Sequence, residues 1–177
     1  MNQRLFFALW PDPGVRARLA ELGERARQCC GGRRTTADKL HLTLAFLGDV
    51  PTPRVDELVA LTQRLTGPEG TWTLDRLGHF PRGGIVWAGS EAMPDGLMRF
   101  QTELWVSLAA LGFTPPRRDF YPHVTLLRQA RRHAPEDIAT GSLPLAWSYR
   151  RAALVHSAVE GAGRRYVTLA QTHASDQ

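Results

Sequence analysis

Two short stretches carry the side chains that could do chemistry. HLTLAFLG, His41 to Gly48, sets a histidine and a threonine two residues apart in an apolar run, and YPHVTLLR, Tyr121 to Arg128, repeats the arrangement downstream. Side chains on a strand alternate between faces, so His41 and Thr43 share one face while Leu42, Leu44 and Phe46 take the other. His123 and Thr125 are set against Val124 and Leu126 in the same way. A buried polar group without a partner costs roughly 1–3 kcal/mol, and packing offers no reason to bear that cost twice. Something polar should lie between the two segments. Histidine titrates near neutrality, so one imidazole can take a proton while a second gives one. That pair suits in-line displacement at phosphorus, with threonine hydroxyls and an arginine on the non-bridging oxygens. Neither metal nor cofactor is then required. Zinc would need a third and usually a fourth ligand, and each motif offers threonine where cysteine or carboxylate would be expected. His79, His133, His156 and His173 show no matching pattern and are expected to be ordinary structural or surface residues.

The elements that must position these residues are legible in outline. QRLFFALW, closed by Pro11 and Pro13, reads as a buried strand. From Pro13 to about Gln28, Val15, Leu19, Leu22 and Ala26 recur at helical spacing. GGRRTTADK is expected to be a loop and LHLTLAFLG a strand, followed by a helix over PRVDELVALTQRL capped by Thr52. TWTLDRLGHF and GGIVWAGS read as a hairpin joined by PRGG, and Leu97 to Leu111 as a helix ended by Gly112. RQARRHAPEDIATGS is polar connecting chain with room for one helical turn. LPLAWSYRRAALVHSAVEGAGRRYVTLAQ gives two or three antiparallel strands turning near Arg150 and at GAG. Six to eight strands and three helices, ordered strand, helix, strand in each half, predict an α+β protein of two similar lobes, each offering one His-x-Thr strand.

Composition sets the bounds. At 177 residues with 43% apolar content, the chain fits one domain that buries roughly 70% of its extended surface without disulfides or structural metal. Cys29 and Cys30 are adjacent, a poor geometry for a disulfide, and read as reduced thiols of a cytoplasmic protein. No apolar run approaches the ~20 residues of a membrane span, and MNQRLFFALWPDP lacks a cleavable signal pattern. The formal charge is +5, and every basic residue except Lys39 is arginine. Arginine's planar fork suits phosphate, although a coding bias would produce the same surface.

His41-Leu-Thr43-Leu-Ala-Phe-Leu-Gly48 and His123-Val-Thr125-Leu-Leu-Arg128 resemble the two signature motifs of the 2H phosphoesterases, in particular the RNA 2′,3′-cyclic phosphodiesterase branch, also called LigT-like or 2′-5′ RNA ligase. The likeness extends to RLFFALWPDP, GGIVWAG, the YPH before the second motif and the length, and so covers nearly the whole chain. The resemblance implies a single domain over residues 1–177, made of two intertwined lobes. It implies two antiparallel sheets with pseudo-twofold symmetry around a central cleft, with the helices outside. It further implies metal-free opening of a 2′,3′-cyclic phosphate at an RNA end to leave a 2′-phosphate, and in some members the reverse joining to a 2′-5′ linkage. The partner is then RNA with such an end, or a cyclic nucleotide, and the enzyme a monomer without cofactor.

Carried over by position, His41 is the general acid that protonates the departing 3′ oxygen, and His123 the general base that activates water. Thr43 and Thr125 hold the phosphate, and Arg128 adds charge beside it or stacks on the base. Strict alternation puts Arg128 on the face opposite His123, so the strand must end or bulge around Leu127 for Arg128 to reach the cleft. For base stacking the resemblance favours Phe7 over Trp87, which is expected in the core. Two other readings fit the residues: a non-catalytic RNA or nucleotide-binding module, although binding alone would tolerate losing a histidine, and the same chemistry on a small-molecule cyclic phosphate.

Overall fold

The structure is a computed structural model that describes residues 1–133, 138 and 141–175. Its strands are β1 (Asn2–Leu9), β2 (Arg33–Arg34), β3 (Leu42–Pro51), β4 (Gly70–Leu74), β5 (Arg76–Phe80), β6 (Ile85–Gly89), β7 (His123–Arg128), β8 (Leu145–Tyr149), β9 (Ala153–Glu160) and β10 (Gly163–Gln171). Among the described residues the α-helices α1 (Pro13–Cys30), α2 (Val55–Arg64) and α3 (Asp95–Ala110) join them in an α+β architecture. The helical turn expected within RQARRHAPEDIATGS falls largely outside the described residues. Among those described, no helix is long and apolar enough to cross a membrane.

The strands form two antiparallel halves. One runs β10-β9-β1-β3, the other β7-β6-β5 with β2 on the free edge of β7. The halves meet at one residue pair, Leu42 opposite Val124. Each is the middle residue of its His-x-Thr tripeptide. Helix α1 packs against β7, α2 against β9 and β10, and α3 against β3. The start of α1 is fixed by Asp12, whose Oδ1 accepts a hydrogen bond from the Val15 amide at 3.0 Å, and by Pro13 in its first turn. The helix ends at Gly31, where φ is +69° and a side chain would be strained. Its inward stripe is Val15, Leu19, Leu22 and Ala26, as the spacing requires.

Three local expectations are corrected. Thr52 does not cap α2: β3 runs on to Pro51 opposite Asn2, so the Thr52 hydroxyl donates to the Met1 carbonyl at 2.9 Å and a 3₁₀ turn over Thr52–Arg54 precedes the helix. TWTLDRLGHF is two strands, not one. It breaks at Asp75, so that β4 pairs with β8 in a separate ribbon while β5 forms the expected hairpin with β6. The ribbon is held by the buried Trp72 and Trp147 rings, 5.7 Å apart, and Trp72 Nε1 donates to Ser90 Oγ at 2.7 Å. Last, GGRRTTADK contains the short strand β2 and a 3₁₀ turn over Ala37–Lys39.

Phe7 is also corrected. It lies fully buried with Leu5 and Leu9 in the main core, and no face of its ring is open to a base. Alternation along β1 turns Phe6 and Ala8 the other way, where they pack with Ala153 and Val155 and touch Trp10 and Tyr166. Phe7→Ala should therefore destabilise the fold by about 3–5 kcal/mol, the range for removing a buried aromatic ring. A urea titration comparing midpoints at equal slope measures this, and a loss below about 1 kcal/mol would place the ring outside the core.

Candidate active site

The Leu42–Val124 pair fixes the site. Both residues are fully buried, so the flanking His41, Thr43, His123 and Thr125 all turn to the opposite face. Continuing the antiparallel register sets His41 across from Thr125 and Thr43 across from His123. All four line one cavity of about 790 Å³. The other walls are the segment from Arg33 to Lys39 and the hairpin between β9 and β10, which contributes Arg164 and Tyr166. Arg33, Arg34, Lys39, Arg128 and Arg164 border this cleft, and among the described residues no carboxylate does.

The two imidazoles are held alike. His41 Nδ1 lies 2.6 Å from the Lys39 carbonyl, and His123 Nδ1 2.7 Å from the Tyr121 carbonyl, each two residues upstream. A carbonyl only accepts, so Nδ1 carries the proton in both rings and Nε2 is left for the cleft. In neutral His41, Nε2 accepts from the Thr43 hydroxyl at 2.9 Å. Burial pushes the His41 pKa down to about 4, against the hydrogen bond to Lys39; the charges of Arg128 and His123 push it down further. His123 is lowered as well, first by burial and then by Arg128, with the Tyr121 carbonyl opposing. Without an anion in the cleft, both rings are neutral at pH 7.

Arg128 reaches the cleft because β7 bulges. Leu127 pairs with Val86 but Thr125 pairs with Trp87, so Leu126 is an extra residue. Leu126 and Leu127 are then both buried, and alternation resumes with Arg128 on the side of His123. The matching place in β3 has the same irregularity: Thr43 pairs with Ala8 and Ala45 with Phe7, leaving Leu44 unmatched. The two motifs are thus related in conformation as well as in sequence.

Aromatic rings flank each histidine, and sequence reasoning missed most of them. Phe6 lies 5.0 Å from His41, Tyr166 5.5 Å and Trp10 5.7 Å. Around His123 stand Phe80 at 5.2 Å and Trp87 at 6.3 Å. Trp87 is buried, as expected, and lies across Gly78, where a Cβ would sit 2.0 Å from the ring. The available signal was parity, since Phe6, Ala8 and Trp10 alternate toward one face. His79 and His133 stack on each other with ring centres 4.6 Å apart beside a separate, smaller cavity.

Two imidazoles whose Nε2 atoms face the cleft, two hydroxyls and a cationic wall can bind an anion and exchange protons with it from two sides. Comparisons with known proteins identify the family. Residues 9–87 match the family model for LigT like phosphoesterase. The RNA 2′,3′-cyclic phosphodiesterase of Escherichia coli is 38% identical over 128 residues, covering 72% of this chain and 73% of that protein. The protein of the same name from Thermus thermophilus is 33% identical over 180 residues, covering 94% and 87%. A crystal structure of E. coli LigT complexed with 3′-AMP superposes with a TM-score of 0.82 at 32% identity, covering 97% of each chain. In sequence, in fold and in the cleft where its paired motifs meet, this chain belongs to the LigT-like family of 2H phosphoesterases.

Proposed function

We propose that the protein hydrolyses 2′,3′-cyclic phosphate ends of RNA to 2′-phosphomonoesters. One observation carries the reading: two imidazoles with Nδ1 tied to backbone carbonyls turn Nε2 into a cationic cleft that no described carboxylate borders. In this scheme the cyclic phosphate lies between the two tripeptides, with the Thr43 and Thr125 hydroxyls and Arg128 on its non-bridging oxygens. His123 Nε2 takes a proton from water as the water oxygen bonds to phosphorus. The bond from phosphorus to the 3′ oxygen breaks, and protonated His41 delivers its Nε2 proton to that oxygen. A 3′-hydroxyl and a 2′-phosphate remain. Every atom transferred comes from water, substrate or the two rings, so the scheme needs no cofactor or metal.

A 5′-hydroxyl in place of water gives a 2′-5′ linkage by the same two proton transfers, which is the ligation reading of this cleft. All the named groups come from one chain, so the scheme calls on no second copy.

The first test is incubation of a nucleoside 2′,3′-cyclic phosphate, and of an oligoribonucleotide bearing that end, in excess EDTA. The wild type should yield the 2′-phosphate, and His41→Ala and His123→Ala should each lose about 100-fold or more in kcat, the scale of a general acid or base. Activity abolished by the chelator would overturn the scheme.

The second test is pH. The acid must be protonated and the base neutral, so kcat/KM should form a bell whose maximum lies between the two free-enzyme pKa values. Because both are lowered, His41 to about 4, that maximum should fall below pH 6.5. A bound phosphate anion favours the charged form of each ring, so the maximum in kcat should lie at higher pH. Coincident maxima above pH 7 would contradict the burial that sets these values.

A further inference from the structure

Five cations border the cleft, and two of them have partners outside it: Arg34 reaches Glu24 at 3.5 Å and Arg164 donates to the Ser157 carbonyl at 3.0 Å. Lys39 Nζ lies 6.0 Å from the centre of the Tyr166 ring, within the cleft. Arg33 and Arg128 have no hydrogen-bond or ion-pair partner among the described residues. These two are also direct cross-strand partners, Arg33 on β2 opposite Arg128 on β7. Residues opposed in this way point to the same face with Cβ atoms about 4.5–5.5 Å apart, and like charges so placed repel. Both side chains border the cavity that holds the histidines. Two unpaired guanidinium groups side by side at the wall of a cleft form a destabilising arrangement unless an anion lies between or beside them.

The two arginines stand differently toward the histidines. Arg128 is close enough to both imidazoles for its charge to act on them, and it serves the reacting phosphate. Arg33 comes from β2, which pairs with β7 on the edge opposite β6. With Leu126 bulged, the backbone of this arginine pair lies two ladder steps along β7 from Thr125, roughly 7 Å at about 3.3 Å per step. An anion there is a second phosphate of the same ligand, one linkage away.

We infer that Arg33 forms a second phosphate subsite, which takes the phosphodiester joining the terminal nucleotide to the one before it. This rests on the function proposed above and narrows it: the preferred substrate is an oligoribonucleotide end, and a mononucleoside 2′,3′-cyclic phosphate lacks the group that Arg33 binds. Arg33 is exposed, and its side chain supports no packing in the core.

The experiment compares kcat/KM for a mononucleoside 2′,3′-cyclic phosphate with that for a dinucleotide ending in the same cyclic nucleoside. The wild type should prefer the dinucleotide by about tenfold or more. In Arg33→Gln that ratio should collapse to within about twofold of one, with Arg33→Lys intermediate because it keeps the charge but loses the fork. The salt dependence of kcat/KM on the dinucleotide should also flatten in Arg33→Gln by about 0.7 in log-log slope, the value for one contact to a single-stranded phosphate. Equal use of both substrates by the wild type, or an unchanged ratio in Arg33→Gln, overturns the subsite alone. Hydrolysis of neither substrate by the wild type overturns the catalytic reading and the subsite with it.

Discussion

The site depends on one backbone pairing. Leu42 and Val124 are the point where the two halves of the sheet touch, and both side chains are fully buried. Because neighbours in a strand must face the other way, burying these two apolar residues obliges four polar ones to emerge together. The hydrophobic effect that stabilises the join also aims the catalytic candidates. From this pair the strands diverge, β3 toward β1 and β7 toward β6, and the divergence opens the space between them. The cleft is therefore a consequence of how the halves are joined.

Each arm then departs from regularity at the same place. The extra residues Leu44 and Leu126 follow Thr43 and Thr125 and shift the alternation by one. Without the second bulge, Arg128 would point into the apolar layer beneath the sheet, where an unpaired guanidinium is costly. The two bulges carry different residues to matched positions: Arg128 on β7 and the exposed Phe46 on β3, whose ring lies 5.2 Å from the guanidinium carbon of Arg4. A fold that is nearly twofold in its backbone is thus asymmetric in charge. Three of the five cleft cations, Arg33, Arg34 and Arg128, stand on β2 and β7, and the rings of Phe6, Trp10 and Tyr166 surround His41 on the other side.

Much of this was legible in the sequence, because the signals were local and repeated. The tripeptides and the helical stripe of α1 follow from alternation and periodicity, and the need for a break before Arg128 follows from alternation once the resemblance places Arg128 in the cleft. What was not legible depended on pairing between distant segments. TWTLDRLGHF carries strand propensity throughout, and only the separate partners β8 and β6 reveal that it divides at Asp75. Phe6 and Phe7 could not be assigned to faces because β1 is apolar on both: Leu5, Phe7 and Leu9 fill the main core while Phe6 and Ala8 fill a smaller one under the cleft. Arg33 read as loop because a strand of two residues has no periodicity to detect. Its meaning comes only from Arg128 across the ladder.

The electrostatics of the two rings follow from the same geometry. A histidine sunk into the floor of a sheet loses solvation, and Arg128 nearby disfavours its protonation further. The carbonyls of Lys39 and Tyr121 pull the other way but also fix each proton on Nδ1. Both rings therefore wait neutral, and the cleft's positive charge resides in arginines that cannot lose it. In the proposed scheme an arriving phosphate reverses the balance: it offsets Arg128 and offers Nε2 an acceptor, which favours the imidazolium at whichever ring it approaches. His41 starts lower and is already hydrogen-bonded to Thr43, so that bond must reorganise before Nε2 can give a proton to a leaving group. His123 has no such bond at Nε2 among the described residues and can accept a proton as it stands. In the proposed scheme this difference suits His123 to the base and His41 to the acid, and the charge of the bound phosphate is then part of the acid's activation.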